Sequence, residues 1–205
     1  KLTLICDKMC NGVLDFILEE KFDLVHAHWT FPHGAAANLI ARRLGIPSII
    51  TAHGSDIHSL SVQHEAYLSH TISALEEADQ VIFVSSALRE KAQEMGFSGA
   101  HSSVIPNGID EGCFRPLYKE KIKKELGLSK PCFGFVGNLV PVKRSDRLPY
   151  IFREIRNLCP EAAFIVVGDG YLREEMERAC ESLGLKVYFT GRVNPDRVAS
   201  VTRQR

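Results

Sequence analysis

The sequence predicts an α/β protein built from two parallel-sheet domains, and three observations carry that prediction. Short, nearly continuous apolar runs rich in β-branched residues recur along the 205 residues. Such runs suit strands covered on both faces, as in a parallel sheet. Segments with helical spacing lie between them, and strand–helix alternation of this kind builds α/β layers. The rhythm breaks once, between Asn107 and Lys130, where a turn signal (Asn107-Gly108) precedes the charged stretch Lys119 to Glu125, which resembles a short solvated helix.

Taken in order, the predicted strands are Phe22–His26, Ile46–Ala52, Gln80–Ser85 and Ser103–Ile105 before the break. Cys132–Val136, Ala163–Val167 and Lys186–Thr190 follow it. Ala35–Leu44 reads as a helix closed by Gly45, with Ile46-Pro47 just beyond. Tyr67, Ile72, Leu75 and Ala78 form one stripe of a longer helix. Ser86, before Ala87-Leu88-Arg89-Glu90, reads as a capping box for a helix ending near Gly96. Tyr171–Leu183 alternates apolar and charged residues and stops at Gly184. The domains are therefore placed at 1–113 and 114–205, with a ligand cleft expected between their carboxyl-end loops.

Composition narrows the function classes. Lys plus Arg and Asp plus Glu both number 25, so the net charge is zero and no nucleic-acid partner is indicated. No apolar run approaches the ~20 residues needed to span a bilayer, and no signal-peptide pattern stands at Lys1. Six cysteines (Cys6, Cys10, Cys113, Cys132, Cys159, Cys180) contain no CxxC pair and read as reduced core thiols rather than a disulfide framework or zinc site. His26, His28 and His33 make a metal triad conceivable, but no carboxylate completes it, so no metal is expected.

The residues that carry chemistry follow the predicted strands. They are His26-Ala27-His28-Trp29, Thr51-Ala52-His53-Gly54-Ser55-Asp56, Pro106-Asn107-Gly108-Ile109-Asp110, Gly137-Asn138-Leu139-Val140-Pro141-Val142-Lys143-Arg144 and Gly168-Asp169-Gly170. Lys143 and Arg144 offer positive charge where a helix is expected to begin, an arrangement suited to a phosphate group. Gly54 lets backbone approach a ligand beside His53. Asp56 either orients His53, binds an acceptor or caps the next helix. Gly168-Asp169-Gly170 has the plain alternative of a tight turn into a helix.

The ordered strings HAHW, TAHGSD, PNGID, FVGNLVPVK, VVGDG and FTGRV resemble the retaining family 4 glycosyltransferases of the GT-B fold, which has two Rossmann-like domains. The resemblance implies transfer of a sugar from a nucleoside diphosphate donor to a hydroxyl of a sugar, lipid or polysaccharide, with no metal. Neither half shows the GxGxxG fingerprint of a redox cofactor. By this resemblance Gly137, Asn138, Lys143 and Arg144 hold the diphosphate, Arg192 and Val193 line the base, and His53 borders the transferred sugar. His28, Trp29, Gly54 and Asp56 lie on the acceptor side. Two positions depart from the pattern: Asn138 stands where an arginine is common, and Arg144 where glycine usually follows the lysine.

Family members open with a strand and a glycine-rich loop, and continue to two glutamates separated by seven residues. Neither feature is found before Phe22 or after Val193, and the tail Ala199 to Arg205 is polar. Two incomplete domains of an internal fragment, with little or no transferase activity, are therefore expected. A cytoplasmic setting, with peripheral association at the inner membrane face, follows from the donor's usual compartment. A nucleotide-sugar epimerase of the same architecture and a non-catalytic remnant are the rival readings.

Overall fold

The structure of the chain, a computed structural model, describes residues 2–17, 20–60, 65–112, 114 and 131–194. It divides into two compact units, Lys1–Gly108 and Ile109–Arg205.

The first unit runs α1 (Leu2–Ile17), β1 (Val25–His28), α2 (Ala35–Leu44), β2 (Ser48–Ala52), α3 (Glu65–Glu77), β3 (Gln80–Phe83), α4 (Ser86–Glu94) and β4 (Ser102–Val104). Its four strands pair in parallel in the order β1-β2-β3-β4. Alternate residues of the two central strands, Ile50 and Ala52 with Val81 and Phe83, are wholly buried. They meet Ala74 and Leu75 of α3, Leu88 and Ala92 of α4, and Phe97. Each large apolar side chain buried this way contributes about 1.5–3 kcal/mol before entropy is counted. Gly45 closes α2 in the left-handed region (φ 68°), where a side chain would be strained.

Several boundaries depart from the sequence reading. The first strand is Val25–His28, not Phe22–His26. Phe22 and Leu24 are each 46% exposed, and pairing starts only at Val25 opposite Ser48. Ser85, not Ser86, caps α4: its hydroxyl accepts the Leu88 N–H at 3.3 Å. The sequence reading did not single out α1, a helix of 16 residues whose Cys6 and Cys10 are buried.

The second unit carries β5 (Cys132–Val136), α5 (Leu148–Leu158), β6 (Ala163–Val167), α6 (Arg173–Ser182) and β7 (Val187–Gly191). The strands are parallel in the order β5-β6-β7. Phe164 of β6 stacks on Phe152 of α5 with ring centroids 4.7 Å apart, and Val166, Met176 and Leu139 complete the core around them. The helix expected from Tyr171 begins at Arg173, after a turn that spends Tyr171 and Leu172. The short helix read at Lys119 to Glu125, the polar tail Ala199 to Arg205, and Cys113 lie outside the described residues. The other five cysteines are free thiols. Among the described residues no helix is long and apolar enough to cross a membrane.

Candidate functional site

Parallel strands deliver the loops that follow them to one edge of their sheet, and in each unit the residues singled out above stand on those loops. In the first unit His28, the last residue of β1, lies opposite Thr51 of β2. The pairing extends one step further, with the Trp29 N–H donating to the Thr51 carbonyl at 2.9 Å. Trp29 then takes φ 79° and ψ 140°, a conformation rare for a bulky residue. It turns the chain into the segment Thr30–Gly34, where Phe31 is extended (φ -133°, ψ 136°) and interrupts the helical turn.

Asp56 ties the two loops together. It is only 1% exposed. One carboxylate oxygen accepts the backbone N–H groups of His53 (3.1 Å) and Gly54 (2.8 Å), and the other accepts that of Thr30 (3.1 Å). These bonds run back along its own loop and across to Thr30 in the loop after β1. Of the three roles left open for it, orienting the loop that carries His53 matches its contacts.

The histidines gather at the same edge. His28 Nδ1 lies 2.7 Å from His53 Nε2. His26 and His28 project from one face of β1, as period-two alternation requires, and their rings stack 4.7 Å apart. His26 Nε2 lies 2.8 Å from the Thr51 hydroxyl. Partial desolvation holds the His26 pKa below its ordinary 6.5, and the neighbouring His28 and His53 push it the same way. His33 sits edge-on to Trp29 instead, with centroids 6.3 Å apart. Among the described residues no group of three or more His, Cys, Asp or Glu side chains is arranged to hold a metal ion. A groove of about 650 Å³ runs beside β1, lined by Met9, Val13, Ala36 and Ile40 and rimmed by His26, His28, Trp29 and His33.

In the second unit, glycine permits loops to touch through their backbones. A Cβ on Gly168 would lie 2.0 Å from the Gly137 carbonyl oxygen, and one on Gly170 2.3 Å from that of Leu139. Backbone hydrogen bonds exploit this closeness: Gly137 N–H to Val167 C=O (3.0 Å), Leu139 N–H to Asp169 C=O (3.0 Å) and Leu172 N–H to Leu139 C=O (3.2 Å). Leu139 itself is fully buried and plugs the loop into the core. Gly168-Asp169-Gly170 is thus more than a turn into α6, because its two glycines seat the loop after β5.

That loop then presents Asn138, Lys143 and Arg144, all exposed. No α-helix starts at Lys143. It ends the 3-10 turn Pro141–Lys143, a second such turn spans Ser145–Arg147, and α5 begins at Leu148. Arg144 joins the two turns in the left-handed conformation (φ 52°, ψ 30°), while buried Ser145 donates its hydroxyl to the Val140 carbonyl at 3.2 Å. Neither Lys143 nor Arg144 forms an ion pair among the described residues. Arg192, exposed, and Val193, half-buried, follow Gly191, whose carbonyl accepts the Gly168 N–H at 2.9 Å.

Comparison with known proteins supplies the family. The model described as Glycosyltransferase Family 4 matches residues 9–112, and the one described as Glycosyl transferases group 1 matches residues 118–205. The chain belongs to glycosyltransferase family 4. It is 35% identical to the Bacillus subtilis glycosyltransferase TuaC, named for teichuronic acid biosynthesis, over 72% of this chain and 38% of that protein. It is 30% identical to an Escherichia coli UDP-Gal:alpha-D-GlcNAc-diphosphoundecaprenol alpha-1,3-galactosyltransferase over 86% of this chain and 48% of the relative. The chain thus spans about half the length of these curated relatives or less.

Among solved structures, Anabaena HepE in complex with UDP superposes with a TM-score of 0.76 at 20% identity, over 96% of this chain and 54% of that one. A Listeria monocytogenes protein described as a UDP-N-acetylglucosamine 2-epimerase reaches 0.64 at 13% identity, over 100% of this chain and 56% of that one. At these identities the likeness speaks for the fold, two parallel-sheet α/β units of the GT-B type.

Proposed function

We propose that this glycosyltransferase supplies the donor-diphosphate loop and the acceptor-side histidine loop of an enzyme that moves a sugar from a nucleoside diphosphate to a hydroxyl group in glycan or glycolipid synthesis. The observation that carries the reading is the loop after β5. It holds two exposed cations without carboxylate partners among the described residues, on a backbone seated by Gly168 and Gly170. As the glycosidic bond breaks, negative charge grows on the leaving diphosphate, and a fixed cation stabilises that state more than the ground state. Lys143 fills this role, and Arg144 supplies the second charge that Asn138 lacks. Arg192 and Val193 line the base.

On the acceptor side, His53 borders the transferred sugar, with Gly54 giving close backbone access and Asp56 fixing the loop. His28 and Trp29 face the acceptor, which is a sugar, lipid or polysaccharide. Retention of configuration and independence from metal and redox cofactors belong to the same proposal. So does a cytoplasmic setting with peripheral contact at the inner membrane face.

Calorimetric titration of the 205-residue chain with UDP, GDP and UDP-glucose tests the donor loop. Charge-assisted contacts of about 1.5–3 kcal/mol predict that Lys143→Ala weakens the preferred nucleotide by roughly 10- to 150-fold. Equal affinity in wild type and variant would remove Lys143 from the donor site. Release of an epimerised sugar without an added acceptor would favour the epimerase reading instead.

A further inference from the structure

The Nδ1···Nε2 contact between His28 and His53 has a consequence for which ring atoms meet a ligand. A single hydrogen bond between two neutral imidazoles needs one protonated and one bare nitrogen. Each ring therefore fixes the tautomer of the other. His28 is also held from behind: it stacks on His26, which is anchored to the Thr51 hydroxyl at 2.8 Å. His53 is held at its backbone, where Asp56 accepts its N–H.

We infer that His28 is a positioning residue, which sets the ring orientation and tautomer of His53 and leaves only His53 Nδ1 and His28 Nε2 available to a bound substrate. This inference rests on the reading of His53 as the residue bordering the transferred sugar. It reassigns His28 from a direct acceptor contact to a partner acting partly through His53. A catalytic group needs its orientation locked, because a displacement of about 1 Å costs on the order of 100-fold in rate. An imidazole in water rotates and exchanges tautomers; the His26–His28 stack restrains the rotation, and the His28–His53 hydrogen bond couples the tautomers of the two rings.

Long-range proton–nitrogen correlation spectra of the 205-residue chain, recorded at mildly alkaline pH where imidazoles are neutral, read the tautomers directly. Signals are assigned with His28→Asn and His53→Asn. The expected wild-type result is one fixed tautomer per ring, with His28 Nδ1 and His53 Nε2 of opposite type. His28→Ala should return His53 to an averaged mixture. Averaged signals at both rings of the wild type overturn the inference, and that spectrum decides the matter even where His28→Ala does not fold. Unfolding would average the His53 ring as well, so the His28→Ala spectrum is read only where its backbone amide dispersion matches the wild type, which separates positioning from simple support. The two readings also fail separately. UDP-glucose affinity unchanged by His53→Ala would remove His53 from the sugar site and leave the tautomer result standing. Averaged rings together with a damaging His53→Ala would remove only His28.

Discussion

The Asp56 carboxylate and the Thr30 backbone N–H meet at 3.1 Å across 26 residues of sequence, joining the loop after β1 to the loop after β2. Both partners are buried, and the same carboxylate also accepts from His53 and Gly54. Asp56→Ala would leave three backbone donors without their acceptor. At about 1–3 kcal/mol for each buried unsatisfied group, discounted because His53 and Gly54 are partly open to water, the first unit should lose roughly 3 kcal/mol. Asp56→Asn keeps the shape and one acceptor oxygen, so about half that loss is expected. Urea unfolding of the three proteins gives the comparison, and equal midpoints would show that the loops hold without the carboxylate.

A second expectation concerns the glycines of the loop after β6. Gly168 has φ 131° and no room for a Cβ, which would fall 2.0 Å from the Gly137 carbonyl oxygen. Gly168→Ala must therefore displace the loop that carries Lys143, and a destabilisation of about 3 kcal/mol or more is expected. Gly184→Ala is the control. Its φ is 66°, but nothing lies within 4 Å of its Cβ position, so only the left-handed strain of about 1–2 kcal/mol applies. Denaturation midpoints should rank wild type, Gly184→Ala, then Gly168→Ala, and nucleotide affinity should fall only in the last.

These contacts also mark how much was legible beforehand. Ala163–Val167 announces itself as a strand because its apolar residues are continuous, and it is the central strand of its sheet. The strand read at Ile46–Ala52 instead starts two residues later, at Ser48. Helix α1 was missed although Leu2, Cys6, Met9, Cys10, Val13 and Ile17 recur at helical spacing, because further apolar residues stand outside that stripe. Leu4, Ile5, Val13 and Phe16 are exposed while Cys6 and Cys10 are buried. The loops after the strands were readable from residue type, but their mutual fastening was not. The Gly137–Val167 and Leu139–Asp169 bonds are made by backbone, which leaves no trace in side-chain choice except the neighbouring glycines. Asp56 at the start of a helical turn leaves three roles open in the sequence, and its bond to Thr30, 26 residues away, appears only once the strands are paired. The pairing of His28 with His53 depends on that same register and could not be read from spacing along one strand.

Arg144 offers a test of strain against function. It occupies the left-handed region, which costs a non-glycine residue about 1–2 kcal/mol. Arg144→Gly removes that strain, partly offset by the greater freedom of glycine in the unfolded chain, and a net gain of about 0.5–1 kcal/mol is expected. Arg144→Ala keeps the strain and deletes the charge. If Arg144 contacts the diphosphate, both variants should bind nucleotide more weakly while only the glycine variant is stabilised. Unchanged affinity in both would confine Arg144 to a surface role and leave the diphosphate to Lys143.

The histidine cluster predicts a pH dependence of definite sign. With the His26 pKa below 6.5 in the folded chain, the unfolded state binds a proton that the folded state refuses between that lowered value and 6.5. Stability therefore falls as pH drops from 6.5 through the lowered pKa, and it levels off below it. His28, stacked on His26, and His53 repel a proton on His26, while Thr51 contributes only a neutral hydroxyl. His26 keeps much of its surface exposed, so water screens the effect and the slope is shallow. His26→Gln removes the titrating ring. The difference in melting temperature between wild type and variant should be constant above pH 6.5 and should shift against the wild type below it, with other titrating groups cancelling in the subtraction. Parallel curves across the whole range would mean that His26 carries the same proton affinity folded and unfolded, and that the ring stack does not oppose its charge.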